Sequence, residues 1–295
     1  MPEEPDDPVI GQVISERAQD HKTRKRLFLE LEAELGRPVV TLFTSFNLPV
    51  GLEDTDVDMI AGVLQKLDLS KGLAVVISSP GGDGLSSERM INVCRGFSGT
   101  GDYWAVVPGK AKSAATMVCF GAAKILMGPA SELGPVDPQI PISQDEMIKW
   151  FSAFNIIESY KELFEGANKA QGNLEPYLQQ LARYDARDIK QLNSAIELSD
   201  DISVNALATG MLAGQDPVDI RKGINPFLTQ AKKSHGRPIY AQEAKDCGLI
   251  VENMEPGGKL WELVYELYIR TNDYVSTQVS KCIESRDHSF IVPRA

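Results

Sequence analysis

A chain of 295 residues with 43% hydrophobic and 24% charged side chains has the composition of a globular protein that buries a large core, which excludes a disordered or fibrous chain. A formal charge of -11 argues against a nucleic-acid binder, because such proteins gather a basic face to neutralise phosphates. The first eight residues are acidic and proline-rich where a secretory signal would be basic and then apolar, and no window approaches the roughly 20 apolar residues that span a bilayer. A cytoplasmic protein without membrane insertion is expected.

Residues 1 to about 12 read as an arm, and a charged amphipathic helix follows from about Ser15 to Leu35, stopped by Gly36. Its basic cluster, Lys22 to Arg26, precedes Glu30, Glu32 and Glu34 and reads as a solvated face of mixed charge. Val39 to Thr44 is a β-branched apolar run, and Asp54 to Leu67 repeats apolar residues at helical spacing. The unit recurs: Leu73 to Ser78 is a strand that leads through Pro80-Gly81-Gly82-Asp83-Gly84 into a helix from about Ser86 to Phe97. A third unit has Tyr103 to Val107 as strand, Pro108-Gly109 as turn and a helix of small residues beginning near Ser113. Strands that are unbroken hydrophobic runs and alternate with helices predict a parallel sheet covered on both faces. Sites in such sheets collect beyond the carboxyl ends of the strands.

Ile125 to Met127 is a further short strand, and Gly128 to Pro141 a loop rich in proline and glycine. The stretch from about Gln144 to Gln230 reads as chiefly helical, with breaks at Gln171-Gly172-Asn173 and Gly214 to Pro217. A last α/β piece spans Tyr240 to Val251, and a helix is expected from about Lys259 to Ser285, its apolar face packing either on the core or on another subunit. The expected organisation is an N-terminal arm and helix over 1–36, a catalytic domain over 37–255 with a helical insertion at about 144–230, and a C-terminal helix and tail over 256–295. Cys94, Cys119, Cys247 and Cys282 are widely spaced with no CxxC pair and no nearby histidine cluster, so reduced thiols are expected, with no metal and no cofactor.

Serine is a poor nucleophile until a base takes its proton and fixed donors receive the charge that develops on the attacked carbonyl. Ser113 follows a strand and opens a helix, where its hydroxyl is exposed and the first helical N–H groups face an incoming anion. Serine is also a favoured N-cap, so the position alone decides nothing. The neighbouring loop, Ser79-Pro80-Gly81-Gly82-Asp83, adds two glycines that let a backbone turn present its N–H groups unobstructed. Lys110 and Lys112 flank the serine, as surface residues or as charges that steer an acidic substrate or support the oxyanion.

These pieces resemble the ClpP/crotonase superfamily, most closely its SppA-like branch that includes the serine dehydrogenase proteinase family. The resemblance rests on Val76 to Gly82, on Ser113-Ala114-Ala115-Thr116, on Glu132 to Gln139, and on His235 to Ile239 followed by Ala241 to Leu249. It spans about residues 73 to 251 and leaves both ends of the chain outside. It implies an α/β fold with a ClpP/crotonase-like core of repeated β-β-α and βαβ units around a parallel sheet, with N-terminal and C-terminal helices added. It also implies a serine endopeptidase acting on peptide or protein substrates, self-assembly into a homo-oligomer, Ser113 as nucleophile, and Gly82, Asp83 and Ala114 as oxyanion donors. ClpP-like members carry a histidine in the segment where this chain has Asp137, and SppA-like members use a lysine. The base is therefore open: His235 oriented by Asp137 with the two roles exchanged in chain order, Lys149 or Lys161, or no competent base. His21 and His288 read as solvated. A crotonase-type acyl-CoA enzyme and a silent peptide-binding scaffold remain the alternatives.

Overall fold

A computed structural model of the chain describes residues 8–16, 20–144, 147–229 and 236–294, with side chains left out from 143 to 149. The chain opens with helix α1 (Val9–Ser15) and helix α2 (His21–Leu35). Asp20 starts α2 by accepting from the N–H groups of Lys22 and Thr23, and Gly36 ends it in the left-handed conformation. The first strand-helix units are β1 (Val39–Thr44) with α3 (Asp54–Leu64) and β2 (Ala74–Ser78) with α4 (Gly84–Phe97). The third is β3 (Trp104–Val107), β4 (Lys110–Ala111) and α5 (Ala114–Phe120), followed by β5 (Lys124–Met127) and β6 (Glu132–Leu133).

Strands β7 (Gln139–Gln144) and β8 (Met147–Ser152) pair antiparallel as a hairpin. Helices α6 (Ala153–Lys169), α7 (Glu175–Leu181), α8 (Ala186–Ala208), α9 (Pro217–Gly223) and α10 (Asn225–Thr229) follow. Then come α11 (Ala241–Asp246), β9 (Val251–Asn253), α12 (Lys259–Thr277), β10 (Val279–Glu284) and β11 (Ser289–Pro293). The helical reading of the middle of the chain holds from Ala153 onward, but a hairpin precedes it.

The central sheet has seven strands among the described residues, in the order β11-β10-β1-β2-β3-β5-β9. The five strands from β1 to β9 run parallel, and β10 and β11 close one edge antiparallel. The protein is thus α/β with a mostly parallel central sheet. Alternate residues of one strand enter different cores: Val40, Leu42, Val75, Ile77, Ala105 and Val107 pack under α3, α4 and α5, whereas Val39, Phe43, Ala74, Val76 and Val106 pack under α2 and α12. Burial on both faces is the reason these strands are unbroken apolar runs.

The C-terminal helix ends at Thr277, not Ser285, and the residues beyond it re-enter the main sheet. Every residue of β10 is buried although it carries Lys281 and Glu284, two charges that suggest an exposed helical face. Each is neutralised from afar: Lys281 by Asp56 at 2.9 Å and Glu284 by Arg24 at 2.8 Å. His21 is likewise not free surface, because its ring nitrogen Nε2 lies 2.7 Å from the Ser285 carbonyl.

Candidate active site

Beyond the carboxyl ends of β2 and β3 the chain builds a small second layer. Strand β4 pairs with β6 on one side and with Ser79 on the other, where the Ser79 N–H donates to Lys110 and the Lys112 N–H donates to Ser79, both at 3.0 Å. Ser113 leaves this layer at the junction of β4 with α5. Its backbone has φ 48° and ψ -120°, and it is the one residue other than glycine with positive φ among those described. A β-carbon in this region costs on the order of 1–3 kcal/mol, and such residues collect at functional sites. The hydroxyl makes no capping hydrogen bond to α5, so the N-cap role does not account for the serine.

The Gly81-Gly82 turn passes directly against it. A β-carbon on Gly81 would sit 2.7 Å from the Ser113 Cβ and 3.0 Å from the Ala114 nitrogen, and one on Gly82 would sit 2.2 Å from the Leu52 nitrogen. Only glycine fits at either position. The Gly81 N–H is spent on the Ser79 hydroxyl at 3.2 Å. The N–H groups of Gly82 and Ala114 have no hydrogen-bond partner among the described residues.

The Asp83 N–H, expected as a donor, is engaged: it donates to the Leu52 carbonyl at 2.9 Å. Asp83 instead caps α4, its carboxylate accepting from the Ser86 N–H and hydroxyl. Among the described residues, that leaves the N–H groups of Gly82 and Ala114 free beside Ser113.

Ser113, Gly82 and Asp137 line one cavity of about 310 Å³, roofed by Leu198 and Ile202 of α8. Asp137 is buried and accepts from Gln139 Nε2 at 2.7 Å. Ser199 of α8 holds this wall in place by donating to the Val136 carbonyl at 2.7 Å. His235 lies outside the described residues, as does the Lys149 side chain. Lys161 is exposed on α6 and is not part of the cavity wall.

Lys112 is not surface. It is buried, with Nζ 2.8 Å from Glu132 and 3.2 Å from the Leu133 carbonyl, and burial pushes its ammonium below the usual lysine range against the pull of Glu132. Lys110 is exposed, with Nζ 5.9 Å from the centre of the Phe46 ring. The four cysteines are free and buried, and burial pushes the thiol of Cys94 up to about 12 and that of Cys247 up to about 11, so neither is a nucleophile at neutral pH. No helix among the described residues is long and apolar enough to cross a membrane.

No protein-family model matches the chain. It is 24% identical over 243 residues to an uncharacterized protein of Methanocaldococcus jannaschii, covering 79% of this chain and 74% of that one. It is also similar to two solved structures of the 1510-N membrane-bound stomatin-specific protease. A serine-to-alanine mutant matches 43% of this chain at 17% identity with a TM-score of 0.29, and the match spans 63% of that chain, less than two thirds of it. A lysine-to-alanine mutant in complex with a substrate peptide matches 75% of this chain and 94% of that chain at 15% identity, again with a TM-score of 0.29. The chain's own strand pairing defines its α/β architecture.

Proposed function

We propose that the chain is a serine peptidase of the ClpP/SppA class that cleaves peptide bonds through an acyl-enzyme on Ser113. The observation that carries the reading is the strained Ser113 backbone beside the unengaged N–H groups of Gly82 and Ala114. In the first step Ser113 Oγ attacks the scissile carbonyl carbon and gives up its proton to the base. The carbonyl oxygen becomes an oxyanion that accepts from Gly82 and Ala114, where fixed donors need no reorganisation as charge develops. Collapse expels the amine, which takes the proton, and water then hydrolyses the ester by the same route in reverse.

The proposed base is His235 oriented by Asp137. Asp137 supports this by lining the same cavity as Ser113, and a carboxylate alone is too weak a base to activate a serine near neutral pH. Lys161 is exposed on α6 and lies outside the cavity that Ser113 lines, which speaks against that lysine. Self-assembly belongs to the same reading.

A fluorophosphonate probe tests the nucleophile. Labelling of the native chain that vanishes in Ser113→Ala, while His235→Ala slows it by roughly 100-fold or more, is the expected result. Absence of labelling under conditions where a control serine peptidase reacts would overturn the reading.

A further inference from the structure

The Gly81-Gly82 turn is held at two points. Its start is fixed where Ser79 pairs with β4, and its end by Leu52, whose N–H donates to the Gly81 carbonyl at 2.7 Å and whose carbonyl accepts from Asp83 at 2.9 Å. Leu52 belongs to no helix or strand of its own and sits one residue before the cap of α3. What fixes Leu52 therefore fixes Gly82.

Glu53 and Asp56 form a reciprocal capping box, in which Asp56 Oδ2 accepts from the Glu53 N–H at 2.8 Å. A surface capping box would be held by water and the helix alone. Here Asp56 is 1% exposed, and its second oxygen, Oδ1, has no hydrogen-bond partner among the described residues. Burial pushes its carboxyl up, and the nearby Lys281 ammonium pulls it down. Lys281 is itself 4% exposed, with Nζ 2.9 Å from Asp56 and 3.6 Å from Glu53. It stands on β10 directly opposite Thr44, the last residue of β1.

We propose that Lys281 is a positioning residue for the Gly82 amide: through Asp56 and Glu53 it locks Leu52, and Leu52 sets where the Gly82 N–H points. The proposal deepens the serine-peptidase reading and rests on it for its catalytic consequence. A single ammonium on the C-terminal hairpin thereby ties the last strands of the chain to the oxyanion donor. Ser113 is held by β4 and α5 and meets the turn at Gly81, so loosening the tie displaces the Gly82 donor more than the nucleophile.

The test compares Lys281→Met, Lys281→Arg and the double variant K281M/D56N, which removes both charges and so folds without a lone buried ion. Amide hydrogen exchange at Leu52 and Asp83 reads the bridge directly, with the α8 segment 192–207 as a reference for global opening. Exchange at Leu52 and Asp83 is expected to rise at least roughly tenfold in K281M and in the double variant, with α8 unchanged and K281R near native. Fluorophosphonate labelling of Ser113 should slow by roughly tenfold to a hundredfold in the same two variants, since small misplacement of a catalytic group costs that much. Peptide hydrolysis should lose kcat with KM little changed; loss of folded protein would lower apparent kcat in the same way, and native exchange in α8 is what separates the two. Native exchange at Leu52 and Asp83 in both variants overturns the inference whatever the labelling shows. Raised exchange in a chain whose native form never labels supports the tie and removes the peptidase reading instead.

Discussion

At Gly82 the chain has no room for a side chain, because a β-carbon would stand 2.2 Å from the Leu52 nitrogen and 2.4 Å from its carbonyl oxygen. Both atoms are backbone and both belong to the bridge that holds the turn, so neither can move alone. Gly82→Ala is expected to push the turn off Leu52, at a cost of about 1–3 kcal/mol for overpacking. It also displaces the proposed donor N–H, so labelling of Ser113 should fall by roughly a hundredfold with a melting point lowered by several degrees. Thermal melts and labelling rates on one preparation check both, and native labelling in a folded Gly82→Ala would remove Gly82 from the site. The two glycines were legible in the sequence because their use is local: a turn after a strand, facing a helix start. That Asp83 is not a donor was not legible, since the carbonyl that claims its N–H belongs to Leu52, on a different loop, and no spacing rule joins the two.

At the level of elements, β4, β6 and α5 form one clasp around Ser113, and Lys112 is its pin. The ammonium bridges Glu132 and the Leu133 carbonyl across the two short strands, while the Thr116 hydroxyl bonds the Ala111 carbonyl and receives the Gly134 N–H. Lys112→Met keeps the stem's volume but leaves the Glu132 carboxylate unpaired in a largely buried place, at a cost of about 3 kcal/mol. Adding Glu132→Gln removes the orphaned charge, so the double variant should recover part of the loss in urea unfolding; strict additivity would show that the two side chains are not coupled. The parallel strands were readable because burial on both faces leaves an unambiguous apolar run, whereas β10 was not. Its Lys281 and Glu284 mimic the polar face of a helix, and their partners stand 225 and 260 residues away in the chain. Charge in a sequence predicts exposure only until a distant partner cancels it.

Over the whole molecule, Arg24 and Glu284 join the first long helix to the end of the central sheet. The guanidinium meets the carboxylate with two bonds of 2.8 Å, Nε to Oε2 and Nη2 to Oε1, and both side chains are fully buried. Ser289 of β11 donates to the same carboxylate, and the ring of Tyr274 lies 4.7 Å from the guanidinium carbon. Burial acts to raise the Glu284 carboxyl, but the hydrogen bonds and charge of Arg24 outweigh it and hold the group below its ordinary value of 4.5. A carboxylate whose folded pKa is depressed contributes stability above its unfolded pKa and loses it as pH falls through the folded value. Acidification below about pH 4.5 should therefore loosen α2 and the β10–β11 edge together. Glu284→Gln leaves Arg24 charged and unpaired in the core, a loss of about 3–5 kcal/mol near neutral pH. The gap between native and variant melting points should be widest near neutrality and should close as the native Glu284 takes up its proton. Melting curves collected from about pH 7 down to about pH 3 measure that gap; a difference that stays constant with pH would mean that the Glu284 charge does not hold the two ends of the chain together.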